Sequence, residues 1–92
     1  MAITILIPSP MRRFTDDNDT VTLESAETAD DALVQLVAKY PDTKRPLRDD
    51  SGNIRRSVNI YINDEDIRFL QGKDTALKSG DSISIVPAIA GG

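Results

Sequence analysis

Ile3, Ile5 and Ile7 alternate with Ala2, Thr4 and Leu6. A β-branched run of period two that is apolar on both sides predicts a strand in the middle of a sheet. Pro8 and Pro10 end it. After the polar stretch Thr15 to Asp19, Val21 and Leu23 alternate with Thr20, Thr22 and Glu24 as in a half-buried strand, and the two strands read as a hairpin. From Thr28 the period changes. Ala29, Ala32, Leu33, Leu36, Val37 and Tyr40 recur at spacings of three and four, which puts them on one helical face. Thr28 is the predicted N-cap, Asp30 and Asp31 suit the positive end of the helix dipole, and Pro41 stops the helix.

Residues 42–56 are polar, with Pro46, the turn Asp50-Ser51-Gly52-Asn53 and five of the eleven basic side chains, and read as a surface loop. Val58, Ile60 and Ile62 alternate with Asn59, Tyr61 and Asn63 in a third strand. Asn63 to Asp66 is a turn into a short strand, Ile67 to Leu70. Gly72, Gly80 and Asp81 punctuate the next stretch, and Ser82 to Val86 is the last strand, isoleucines on one side and serines on the other. An apolar face on one helix needs a sheet to cover it. The expected architecture is therefore α+β: a mixed sheet of four to five strands with one amphipathic helix packed across it and the first and last strands adjacent, the ubiquitin-like β-grasp.

Ninety-two residues, 39% of them hydrophobic, make a single domain over 1–92, with a flexible C-terminal tail at 87–92. There is no Cys and no His, which removes thiol chemistry, disulfides, the usual zinc and haem ligands and the usual neutral-pH base. Scattered carboxylates and hydroxyls offer no catalytic residue. A net charge of −4 repels phosphate backbones, so nucleic acid is not an expected partner. The N-terminal run is too short to span a membrane and lacks a basic flank, which predicts a cytoplasmic protein with no membrane partner. Asn18-Asp19-Thr20 matches a glycosylation acceptor only by chance in that setting.

Counting Asp16 as the first position of a calcium loop puts Asn18 third, Glu24 ninth and Glu27 twelfth, but Val21 stands where glycine is needed and no helices flank it. No metal site is expected. Arg12-Arg13 and Arg55-Arg56, enlarged by Lys44, Arg45 and Arg48, are candidate contacts for anionic partners, although isolated surface arginines more often serve only to solvate a chain. No glycine-rich phosphate loop occurs. Phe69, Phe14, Met11 and Arg12 form a candidate partner-binding patch, and Leu70 is expected in the core.

The C-terminal segment Pro87-Ala88-Ile89-Ala90-Gly91-Gly92 carries no charged side chain. Extended, its six residues reach about 20 Å. Glycine lets channel walls close on the backbone from both sides, so such a tip suits a carboxylate threaded into another protein's active site. A frayed terminus is the plainer account.

Three stretches carry a resemblance: Ile7-Pro8 to Phe14, Val58 to Phe69, and Gly80 to Gly92. Together they are similar to the ubiquitin-like sulfur carriers of the MoaD/ThiS family, and the middle and last look most like the carrier of thiocarboxylate-dependent cysteine biosynthesis. The resemblance implies that an E1-like enzyme adenylates the Gly92 carboxylate with ATP and that a sulfur donor converts it to a thiocarboxylate. This chain itself binds no cofactor. It implies a sulfur-accepting synthase, either cysteine synthase-like or the large subunit of molybdopterin synthase, and a metallopeptidase in the cysteine route. Gly91 would be the second channel residue, with Pro87, Ala88, Ile89 and Ala90 gripped by partners. Thr15-Asp16-Asp17 departs from the Thr-Gly-Gly common in relatives. A ubiquitin-like modifier conjugated through Gly92 to lysines, and a binding module that ignores the tail, remain open.

Overall fold

A computed structural model describes residues 2–55 and 57–87. Among the described residues, β1 (Ile3–Leu6), β2 (Thr20–Leu23), β3 (Val58–Ile62), β4 (Glu65–Asp66) and β5 (Ser82–Pro87) form one sheet in the order β2-β1-β5-β3-β4. β1 pairs with β5 in parallel; every other pairing is antiparallel. Helix α1 (Ala29–Lys39) lies between β2 and β3 in the chain and α2 (Lys44–Leu47) follows it. This is the β-grasp arrangement that the alternation predicts.

Register explains the core. Val21 pairs with Ile5, Ile5 with Ile83 and Ile83 with Ile62, so one apolar row crosses four strands. Ile3, Leu23, Ile60 and Ile85 flank it on the same buried face, and Ala29, Ala32, Leu33 and Leu36 of α1 are buried with them. The Thr28 Oγ1 accepts from the Asp31 N–H at 3.1 Å, and the Asp31 carboxylate accepts from the Glu27 N–H at 3.0 Å. The predicted Thr28 cap is therefore made, and Asp31 also holds the residue before it.

Four expectations change. Leu6 is 41% exposed, because the single long helix covers only one face of the sheet and the second side of β1 meets solvent. Residues 42–56 are not simply a loop: the 3-10 turn Pro41–Thr43 and α2 bury Thr43 and Leu47 completely. Arg48 ties the segment to α1 through Asp30 at 2.6 Å. The expected strand at 67–70 is instead the two-residue β4 followed by a 3-10 turn, Ile67–Phe69, because the Asp66 side chain caps the turn by accepting from the Arg68 N–H at 2.8 Å. Ile67 takes the core position expected of Leu70, which is exposed.

Two turns need left-handed backbone without glycine. Asp16 and Asp17 have φ of 55° and 63°, and Asn63 and Asp64, joining β3 to β4, have 49° and 76°. The positive φ at Asp16 and Asp17 is a conformation that glycine adopts without steric cost. Asn63 is also a stitch, since its side chain donates to Asp81 at 2.8 Å and accepts from the Ser82 N–H at 3.0 Å.

Chemical denaturation of two variants tests this account. Leu47→Ala is expected to lose about 2–5 kcal/mol, as for a closely packed leucine. Asp17→Gly is expected to gain about 0.5–1 kcal/mol by relieving left-handed strain, and loss of stability would contradict it.

Candidate functional site

The tail is rooted in the middle of the sheet. β5 is flanked by β1 and β3 and runs to Pro87, which lies opposite Val58. Pro87 is thus the half-buried last residue of a strand, not the first residue of a tail. Its fixed φ and missing N–H are tolerated because it stands at the strand's end. Ala88, Ile89, Ala90, Gly91 and Gly92, which carry the expected chemistry, lie outside the described residues.

The sheet face opposite α1 surrounds this root. Leu6 and Tyr61 both pair with Ser84, and Val86, 42% exposed and next to Pro87, pairs with Asn59. Thr4 and Ser82 continue the face. It is a shallow surface of small polar groups with Leu6 and Val86 as its exposed aliphatic positions. Sequence reasoning missed both, although the serines alternating with isoleucines in the last strand already marked this side as solvent-facing.

At the β4 edge a charged clamp presents Phe69. The Asp66 side chain is almost fully buried, and its carboxylate accepts from Arg68 Nη2 at 2.7 Å and from Arg68 Nε at 3.2 Å. A second bond from Arg68 Nη2 reaches Asn59 Oδ1 at 2.8 Å, tying the clamp to the open face of β3. Phe69, held in the turn that Asp66 caps, is 86% exposed.

The rest of the expected patch is dispersed. Met11 is 4% exposed and belongs to the core, because the 3-10 turn Ser9–Phe14 folds it inward. Phe14 is half-buried against that core. Arg12 is exposed, with Nε donating to the Ile7 carbonyl at 3.1 Å. The turn carrying Phe14 packs on Pro41–Thr43, whereas the turn carrying Phe69 packs on β3 and Gly72–Asp74, so they occupy separate neighbourhoods. No group of three or more His, Cys, Asp and Glu able to hold a metal occurs among the described residues. No helix there is long and apolar enough to cross a membrane.

The ThiS family profile matches residues 5–92. The chain belongs to the ThiS family. It is 42% identical to the sulfur carrier protein CysO of Mycobacterium tuberculosis H37Rv over the whole of both chains. It superimposes on the crystal structure of the Amycolatopsis orientalis BexX/CysO complex with a TM-score of 0.88 at 32% identity, covering 99% of this chain and 100% of that one. A third relative, small archaeal modifier protein 3 of Haloferax volcanii, is 37% identical over 71% of this chain and 70% of its own. This ThiS-family chain is a non-catalytic carrier rather than an enzyme.

The clamp makes a pH prediction. Hydrogen bonds from the Arg68 side chain, then from its N–H, hold the Asp66 carboxyl below the usual aspartate value, against the opposing effect of burial. A depressed carboxyl adds stability that is present above its unfolded value, about 3.9, and that is lost as pH falls through the folded value. Urea midpoints of wild type and Asp66→Asn are therefore expected to differ at pH 6 and to converge below pH ~4. A gap that stays constant across the range would sink the assignment.

Proposed function

We propose that this chain carries sulfur on its Gly91-Gly92 end for a biosynthetic enzyme. The observation that carries the proposal is where β5 leads. The central strand delivers the chain to Pro87 beside an open, weakly apolar sheet face, and the sequence continues from it as Ala-Ile-Ala-Gly-Gly. The 42% identity to a protein named as a sulfur carrier supports it.

The chemistry belongs to partners. In an E1-like adenylating enzyme, a Gly92 carboxylate oxygen attacks the α-phosphorus of ATP; pyrophosphate leaves and an acyl adenylate forms. Hydrosulfide released by the sulfur donor then attacks the carbonyl carbon, the C–O bond to AMP breaks, AMP leaves, and loss of the proton to solvent leaves the end as a thiocarboxylate. ATP and the donor are substrates of that enzyme, and this chain supplies the acyl group. Leu6, Val86 and Phe69 are the apolar contacts a partner covers while the tail enters its active site. Burying what is still exposed contributes about 1.5–3 kcal/mol at Phe69 and roughly 0.6–1.2 kcal/mol at each of Leu6 and Val86, where about two-fifths of the surface is open.

The acceptor is a cysteine synthase-like enzyme, as the likeness to CysO favours, and a metallopeptidase later restores the Gly-Gly end. A molybdopterin synthase large subunit is the alternative acceptor. The BexX/CysO complex supports docking of such a domain on a protein partner. A second reading, conjugation of Gly92 to lysines, draws on the likeness to an archaeal modifier.

Intact mass with thioacid-selective alkylation tests the proposal on protein co-expressed with its host's activating enzyme. Alkylation separates thiocarboxylate from methionine oxidation, which adds nearly the same mass. An adduct at Gly92 is expected, and deleting Gly92 is expected to abolish charging without lowering the thermal midpoint. Isopeptide linkage without any thioacid would favour the modifier instead.

A further inference from the structure

Two basic clusters far apart in sequence meet around one cavity. Arg13 and Phe14, from the turn after β1, face Lys44 and Arg45 of α2 and Arg48 and Arg55 of the following loop across about 850 Å³. Five of the eleven basic side chains line it, but only three of the fifteen acidic ones, in a chain of net charge −4. Arg56, which belongs to the second cluster in sequence, lies outside the described residues.

The cations divide into two kinds. Arg48 is committed to the fold, one terminal nitrogen on Asp30 at 2.6 Å and the other on the Gly52 carbonyl at 2.8 Å. Arg55 Nε donates to the Arg45 carbonyl at 2.7 Å. These bonds hold the floor in shape. Arg13, Lys44 and Arg45 are exposed on the rim, with the Arg13 guanidinium 4.8 Å above the centre of the Phe14 ring. Phe14 and Pro41 give the cavity an apolar wall beside those charges.

We infer that this cavity docks an acidic segment of a partner protein, carboxylates on the Arg13, Lys44 and Arg45 rim and an apolar side chain against Phe14 and Pro41. A small phosphate-type ligand fits less well. Such ligands favour converging main-chain N–H groups, but here the Ser51 and Asn53 N–H groups are taken by Asp49 Oδ1 and the Gly52 N–H by the Asp49 carbonyl. Asp42 and Asp50 on the lining can accept main-chain N–H groups of a polypeptide, donors that a phosphate-type ligand lacks. The site has no lining residue at the tail root, shares only Arg55 with the hollow beside the Asp66–Arg68 clamp, and stands whether or not sulfur is carried.

The test is amide-shift mapping on the full ¹⁵N-labelled chain at low salt, where rim charges are least screened. The probes are a terminally blocked peptide of sequence EEDLEE, its neutral counterpart QQNLQQ, and inorganic pyrophosphate. Saturable shifts at Phe14, Lys44, Gly52 and Arg55 are expected with the acidic peptide only. Combined Lys44→Glu and Arg45→Glu substitution should weaken binding at least tenfold, with an unchanged thermal midpoint. Arg13→Glu, in a different element, should weaken it independently and guards against a local folding fault at α2. Shifts mapping elsewhere, or binding that survives both charge reversals, would overturn the proposal. Pyrophosphate that matches the peptide in site and affinity would replace it with a small-anion site.

Discussion

The parallel pairing of β1 with β5 constrains everything else in this molecule. Parallel neighbours cannot be joined by a tight turn, so the intervening chain must leave the sheet and return. It leaves through the β2 hairpin, crosses one face as α1, and returns through β3 and β4. Placing β5 between β1 and β3 lines up Val21, Ile5, Ile83 and Ile62 in one row, and α1 covers that row. With one long helix, only one face is covered. The open face and the central exit of β5 are consequences of the same pairing, and together they make a platform with a strand end beside it.

Charge is sorted as unevenly as the apolar surface. The Asp66–Arg68 clamp commits an almost buried carboxylate to a two-residue edge strand and the turn after it, and so displays Phe69 on a well-defined support. At the other basic centre, Arg48 fastens α2 and its loop to α1 through Asp30, and the remaining cations gather around one cavity. Arg68 in the first place, and Arg48 with Arg55 in the second, are committed to the fold, while neighbouring side chains stay exposed. An acidic chain with a localised basic cavity meets partners in a preferred orientation, since like-charge surfaces elsewhere disfavour the alternatives.

A domain without His, Cys or a metal-ligating cluster among its described residues can still serve chemistry by presenting groups to enzymes. Membership of the ThiS family agrees with that division of labour. The exposed apolar side chains include Leu6, Val86 and Phe69, and the exposed cations include Arg13, Lys44 and Arg45.

Local periodicity was enough to locate α1, its Thr28 cap and four of the strands to within a residue or so, because in those segments burial on one face repeats over many residues. The adjacency of the first and last strands came from the element order together with the rule that an amphipathic helix needs a sheet. Isolated burial left no such trace. Leu47 and Thr43 are single inward positions in a polar stretch, and Met11 turns inward only because a 3-10 turn bends the chain. Leu6 reads as buried from its neighbours in sequence, yet which face a helix covers is settled in three dimensions. Likewise, Arg13 and Arg45 are thirty-two positions apart and unrelated by any sequence period. Only the packing of the turn after β1 against Pro41–Thr43 brings their segments together, because proximity across a fold comes from shared burial rather than from spacing along the chain.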